Sequence, residues 1–336
     1  MKKLTGFLFF LFLAASIIFG EERHITPAFS FGGLNDAASF TLYGPADLLV
    51  TEENIYIVDK RDHNIVISDK SGNLIKRIGR LGNGPLEFNS PVTMAIIDDN
   101  LVVYDAGNQR IQIISKEDKS LKTYPAVTLG QFGAGFLLSN DNTYYYSTEG
   151  YASDYLLVHK TFEGKELGGF GQIYGEKSYV YKFEVDKVKK GIIPDSYKNK
   201  VIPIKDSKGN VYCFHLALPL VKKFGSNEEL IWEKELELPE FKVMKEDWIL
   251  ENKNFPPKGA IRLEYWKDIK IDSNDNIFLL VYISDEMIVY VMNIEGNILM
   301  KYVGDEKKIR LIDIYKNELW ALDGENHVFY KYILNE

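Results

Sequence analysis

Apolar residues along this chain come in short runs, each bounded by a compact polar turn. Asn54-Ile55-Tyr56-Ile57-Val58-Asp59, Asn100-Leu101-Val102-Val103-Tyr104-Asp105 and Asn276-Ile277-Phe278-Leu279-Leu280-Val281 are examples. Runs of this length, rich in β-branched and aromatic residues, predict strands. One stretch, Gly79 to Ser115, shows the rhythm well. A loop around Gly82-Asn83-Gly84-Pro85 leads to a strand from Val92 to Ile97 and a turn at Asp98-Asp99-Asn100. Two further strands follow, Leu101 to Tyr104 and Arg110 to Ile114.

The rhythm repeats. The residues just before the second strand of each unit are Asn54, Asn100, Asn142, Asn210, Asn276 and Glu318, at intervals of 46, 42, 68, 66 and 42. Three intervals match a four-stranded propeller blade of roughly forty-odd residues, and the other two each carry an insertion of about half a blade. Polar turns such as Ser71-Gly72-Asn73, Glu163-Gly164-Lys165 and Glu295-Gly296-Asn297 separate the third and fourth strands, so each unit reads a, b, c, d. Glycine and asparagine suit such turns because they tolerate positive φ. The sixth unit stops after strand c, while His24 to Gly33 reads as a lone strand ahead of the first unit. That strand is expected to complete the last blade and close the ring, which removes exposed sheet edges. The predicted fold is all-β: a six-bladed β-propeller of four-stranded antiparallel blades, forming one domain over residues 21–336.

The series Gly82-x-Gly84-Pro85-x-x-Phe88-x-x-Pro91, an apolar strand, an Asn-terminated turn and Tyr104-Asp105-x-Gly107-Asn108-x-Arg110-Ile111 resembles an NHL repeat. More widely, the chain is similar to bacterial exported six-bladed β-propeller proteins. The likeness is good over units one and two; units three to six keep the strand rhythm and lose most of the motif. The resemblance implies the fold but not an activity, since this repeat serves enzymes and interaction modules alike.

Both insertions, about 174–200 and 239–266, fall between strand d and the next strand a. They therefore share a face of the disc with the b–c loops. Long loops on a rigid scaffold carry function more often than short ones, so this face is the expected binding face. Phe241 to Leu250 predicts a short amphipathic helix ending before Phe255-Pro256-Pro257. The first insertion offers Tyr174, Tyr179, Tyr181 and Phe183. These aromatic residues either grip a partner or pack the insertions onto the blades.

Asp59, Asp105 and Asp323 occupy one equivalent spot at the end of strand b. Aspartate there accepts backbone N–H groups and fixes the following loop, a structural turn role. Asp272-Ser273-Asn274-Asp275-Asn276 has half the ligands of a calcium loop and reads as a turn. Ligand-binding candidates on or near the expected face are Arg61 and His63 in one b–c loop, Arg110 after another and Arg80 in a d–a loop. His215 stands at the end of a strand b, and Asp268 and Arg310 near the starts of inner strands. Asp47, Thr93, Asp268 and Arg310 make a poor metal set. Cys213 and His215 share a strand face but lack an orienting third group. No phosphate loop and no GxSxG motif is present, and nothing calls for a cofactor.

Composition narrows the compartment and the partner. Lys2 and Lys3 precede an apolar run from Phe7 to Ala15 that continues to Phe19, then Gly20 and Glu21-Glu22-Arg23. This is the form of a secretory signal peptide over residues 1–20, cut after Gly20 or near Ala15; a retained anchor is the alternative. The run is short for a membrane span. A net charge of −8 gives no support for nucleic-acid binding. The single cysteine, Cys213, excludes an intramolecular disulfide. The expected protein is exported, periplasmic or secreted, and binds a protein or glycan partner without covalent chemistry. The alternative is a propeller hydrolase or lyase with a metal or polar centre in the funnel.

Overall fold

The structure is a computed structural model and describes residues 20–34, 40–126, 135–178, 184–256, 259–281 and 286–334. The expected signal segment, apart from Gly20, and the expected roles of Tyr179, Tyr181 and Phe183 lie outside the described residues. Two short strands come first, β1 (Glu21–His24) and β2 (Phe29–Gly32). Blade one holds β3 (Pro45–Val50), β4 (Asn54–Asp59), β5 (Asn64–Asp69) and β6 (Leu74–Ile78). Blade two holds β7 (Pro91–Ile97), β8 (Asn100–Asp105), β9 (Arg110–Ile114) and β10 (Ser120–Pro125). Blade three holds β11 (Phe136–Ser139), β12 (Thr143–Ser147), β13 (Tyr155–Thr161) and β14 (Glu166–Gln172). Blade four holds β15 (Val201–Lys205), β16 (Val211–His215), β17 (Leu220–Phe224) and β18 (Leu230–Glu235). Blade five holds β19 (Trp266–Ile271), β20 (Ile277–Val281), β21 (Met287–Met292) and β22 (Ile298–Gly304). Blade six holds β23 (Ile309–Tyr315), β24 (Glu318–Asp323) and β25 (Val328–Ile333). Within every blade these strands pair in sequence order and antiparallel.

The ring closes through the N-terminal segment, in two pieces where the sequence reads as one. β2 pairs antiparallel with β25 and supplies the missing fourth strand of blade six. β1 instead runs parallel to β22 as a fifth strand on blade five. Pro27 separates them: it has no N–H to give a ladder, and the chain crosses between blades there. Ile25 N–H still donates to Val303 and Ala28 N–H already donates to Lys331, each at 2.8 Å. The segment thus staples blade five to blade six.

Each pair of adjacent blades buries its own apolar layer. Blades six and one enclose Leu48, Ile57, Trp320 and Phe329; blades two and three enclose Tyr104, Phe136 and Tyr144, with the Tyr104 and Phe136 rings stacked at 3.8 Å. Burying one such side chain is worth roughly 1.5–3 kcal/mol, so the ring holds without a disulfide.

The turns led by Asp69, Asp206, Asp272 and Asn293 share one hydrogen-bond pattern. The first residue, Asp69, Asp206, Asp272 or Asn293, accepts the backbone N–H groups two and four residues on. The fourth residue takes positive φ: Gly72 (90°), Gly209 (84°), Asp275 (64°) and Gly296 (78°). In Asp272 to Asn276 the leading carboxylate is spent on its own turn, as in the turns that look nothing like a calcium loop.

The insertions fold onto blades four and five. α1 (Val185–Lys189) and α2 (Asp195–Lys198) lie in the first, and α3 (Pro239–Asn254) in the second. α3 begins with Pro239 at its first position, where a missing N–H is harmless, and stops ahead of Phe255-Pro256. Phe241 packs on the Tyr265 and Trp266 rings at 4.4 and 5.0 Å. Trp248 is buried and its Nε1 donates to the Ile261 carbonyl at 2.7 Å. Val188 and Tyr197 join the same apolar layer. Lys189 donates to the Phe255 carbonyl, tying the two insertions together.

Candidate functional site

The inner strands β3, β7, β11, β15, β19 and β23 contact one another in that order around the ring. Together they line a central cavity of about 1040 Å³. Pro45 faces Asp59 across the β3–β4 pair, so inner strands start where the b strands end. The starts of the inner strands, the b–c loops and both insertions therefore mark one entrance. The ends of the inner strands mark the other.

Midway along, charged side chains stitch neighbouring inner strands together. Asp47 of β3 accepts Leu48 N–H at 2.9 Å through Oδ1, and Thr93 Oγ1 at 2.7 Å and Met94 N–H at 3.1 Å of β7 through Oδ2. Asp268 of β19 accepts Ile269 N–H and, from β23, Ile312 N–H, both at 2.9 Å. Asp313 of β23 accepts Val50 N–H of β3 at 2.6 Å. Lys270 of β19 reaches past blade six to donate to Asp47 Oδ1 at 2.7 Å and the Leu48 carbonyl at 3.0 Å.

Burial pushes Asp313 up to about 7, against the pull of Lys270. It also raises Asp268, with Lys270 opposing and Asp47 adding to the shift. Burial alone would lower Lys270, but the carboxylates of Asp47, Asp268 and Asp313 outweigh it and hold the ammonium charged. The lysine serves as an internal counter-ion for three carboxyl groups. Among the described residues, no group of three or more His, Cys, Asp or Glu is arranged to hold a metal ion.

The insertion-side entrance has a different balance. Lys60, Lys200, Lys267 and Arg310 line the cavity there, with Glu264 as the facing carboxylate. Lys200 pairs with Glu264 at 3.1 Å, and the buried Glu149, raised by that burial, lies within electrostatic reach of both. Lys267 and Arg310 share a structural cause. The register slips once near the start of β3, β7, β19 and β23, and the skipped residues are Ala46, Val92, Lys267 and Arg310. A bulge re-aims the side chain it carries, and on the last two strands that side chain is cationic. Burial brings the Lys267 ammonium down to about 8; Glu264 resists this and Arg310 adds to it.

The seven ligand-binding candidates separate in space. Asp268 and Arg310 line the cavity. Arg110 donates to Asp105 Oδ2 at 2.9 Å and to the carbonyls of Asn83, Gly84 and Glu87, locking the glycine loop. His63 Nδ1 accepts Ser90 N–H at 2.9 Å, and Arg80 pairs with Glu87. Arg61 lays its stem over Gly44, where a Cβ would come within 2.6 Å of it. His215 is fully buried, its Nδ1 2.6 Å from the Lys198 carbonyl, and burial pulls it down to about 4. Asp59, Asp105 and Asp323 accept the hydrogen bonds of the loops that adjoin them: Tyr43, Gly44 and Asp62 N–H; Asn89 N–H; Glu325 and Asn326 N–H. Sequence reasoning passed over Lys200, Lys267, Lys270, Glu264 and Asp313. Lys267 was within reach, since it occupies the same second position of its inner strand as Arg310.

A sequence profile described as the six-bladed β-propeller matches residues 26–215, more than half of the chain. The chain belongs to that family. No curated protein matches the propeller's sequence. Solved structures resemble it in fold alone. A Bacteroides fragilis protein described as exported is 11% identical with a TM-score of 0.59, covering 95% of this chain and 99% of its own. A Bacteroides vulgatus protein of another family gives 10% and 0.55, covering 92% and 97%. Virginiamycin B lyase from Staphylococcus aureus gives 10% and 0.52, covering 91% and 99%. No helix of the propeller's described residues is long and apolar enough to cross a membrane.

Proposed function

We propose that this propeller is an exported binding module of the NHL type, recognising a protein or glycan partner through the face that carries the b–c loops and both insertions. The observation that carries this reading is the cavity of about 1040 Å³, whose lining reaches that face at Lys60, Lys200 and Arg310, beside two insertions joined by the Lys189 bond to the Phe255 carbonyl. A rigid concave surface of this size suits recognition. Ile192, Val243 and Leu250 stand exposed on the insertions, where apolar contact area is available to a partner. The basic start and apolar run of the first twenty residues support export.

The test compares two faces. Val243→Glu with Leu250→Glu alters the insertion face, and Leu74→Glu with Leu121→Glu alters exposed positions just after the c–d turns, away from it. Glycan arrays and affinity capture from an extracellular extract should lose signal with the first pair and keep it with the second. Equal capture by both variants ends the reading. The enzyme alternative draws on the lowered Lys267 amine in the cavity, a feature common at catalytic sites. Substrate turnover that Lys267→Arg abolishes would move it to first place.

A further inference from the structure

We propose that the central cavity binds a neutral glycoside, a sugar with an apolar substituent, whose hydroxyls face blades five, six and one and whose apolar part lies against blades three and four. This rests on the binding-module reading and names the chemistry of what enters the funnel. Three observations converge. First, the cavity has the volume, about 1040 Å³, at the upper end of small-molecule sites. Second, its walls differ. Blades three and four line the funnel with Phe136, Leu137, Leu138, Ile202, Pro203 and Ile204. Their polar lining residues, Asn140, Lys200 and Lys205, stand at the strand ends, where Lys200 pairs with Glu264 and Lys205 with Asp141. Going round the ring, blades three and four lie across from blades six and one. From blades five, six and one come Asp47, Asp268, Lys270 and Asp313. Third, this charged arc keeps capacity for a ligand. An ammonium has three hydrogens to donate, and among the described residues Lys270 gives them to Asp47 and the Leu48 carbonyl. Each Asp268 oxygen accepts one N–H, and an ionised carboxylate offers about four acceptor sites.

A donor set beside acceptors suits adjacent hydroxyls, since each hydroxyl both donates and accepts. The arc also disfavours a charged ligand. An added carboxylate would meet Asp47, Asp268 and Asp313, and an added ammonium would meet Lys270, like charges that repel at short range. The insertion-side mouth mixes signs: Lys60, Lys200, Lys267 and Arg310 stand with Glu264 and Asp268 in the lining and Glu149 within reach. It sorts ligands by charge only weakly. On the opposite wall an apolar substituent leaves water for apolar side chains, which is favourable in proportion to the area covered.

The experiment titrates the protein from Glu21 onward with the hexyl glycosides of glucose, galactose and mannose, with the free sugars and with hexanol, followed by calorimetry and amide chemical shifts. Saturable binding of at least one glycoside is expected, about tenfold or more tighter than its free sugar or hexanol, because each of those satisfies one wall. The amide signals of Val50 and Ile312, which donate to Asp313 and Asp268, should move on binding. Ala95→Phe adds a ring to the cavity lining and should abolish binding. Ile202→Asn should weaken it about tenfold, and Ile202→Val should keep it. Urea midpoints identify the variants that fold; if Ala95→Phe does not, the glycoside comparison and the Val50 and Ile312 signals carry the test. Val243→Glu with Leu250→Glu, on the second insertion, should leave glycoside binding unchanged. No saturable binding of any glycoside, hexanol binding as tightly as the glycosides, or binding indifferent to a folded Ala95→Phe overturns the proposal. If partner capture on the insertion face survives while glycoside binding fails, the binding-module reading stands and only the cavity site falls.

Discussion

Arg110 and Arg310 both stand at the b–c-loop end of their blades and are put to opposite uses. Arg110 sits behind the glycine loop of blade two, and four protein groups consume its guanidinium: Asp105 and the carbonyls of Asn83, Gly84 and Glu87. Arg310 occupies a bulge on the inner strand of blade six, is exposed, and faces the cavity. The difference lies in what each backbone presents. A tight loop turns its carbonyls inward and needs a donor to satisfy them. A bulged inner strand projects its side chain away from the sheet into open space. Lys270 and Lys267, three residues apart on β19, also differ in place: the first neutralises carboxyl groups midway along the cavity, and the second sits in the bulge near the start of the strand.

If that division holds, substitutions should split cleanly between stability and binding. Lys270→Met leaves Asp47, Asp268 and Asp313 without their cation, and removing one partner of a buried ionic set costs about 3–5 kcal/mol. Urea denaturation at pH 8 should show the full loss, and a smaller one at pH 5, where carboxyl groups with raised pKa hold protons. Arg110→Ala strands the Asp105 carboxylate, whose side chain has no exposure, and should cost about 3 kcal/mol by the same principle. A loss under about 1 kcal/mol at either site would break the comparison.

Asp313 refines it with pH. Its folded carboxyl keeps its proton to about 7, whereas the unfolded one releases it near 3.8. Between those values the folded state binds more protons, so its contribution to stability declines as pH climbs through the window. Asp313→Asn keeps an acceptor for Val50 N–H and removes the titration. Its urea midpoint should gain on the wild type from pH 5 to pH 8. Thr93→Val deletes the hydroxyl bond to Asp47 and should cost about 1 kcal/mol, read from the same curves. Arg310→Gln should change stability by no more than about 0.5 kcal/mol, read from the same curves.

The blades were legible because a propeller blade is local. Its strands pair with their sequence neighbours, and Asn54, Asn100 and their counterparts mark turns whose hydrogen bonds lie within a few residues. The closure through β2 followed from a missing fourth strand in the last unit. The separate strand at Glu21 to His24 did not, because blade five already has its own four strands and shows no vacancy for β1 to fill. The loop aspartates were readable for the same local reason. Asp313 and Lys270 were not, since Val50 is 263 residues from the first and Asp47 is 223 from the second.

The sequence by itself determined the fold: a repeat of strands and turns, each specified by residues close together, that cannot bury its faces except by closing into a ring. It also placed the insertions on one face, since the parity of strands and turns decides that. Tertiary structure alone decided which charges are spent and which are available. A lysine reads the same in every unit, and its role depends on the carboxylates that ring closure brings within a few ångströms. At that separation, with side chains largely out of water, a charge pair outweighs whatever the flanking residues suggest.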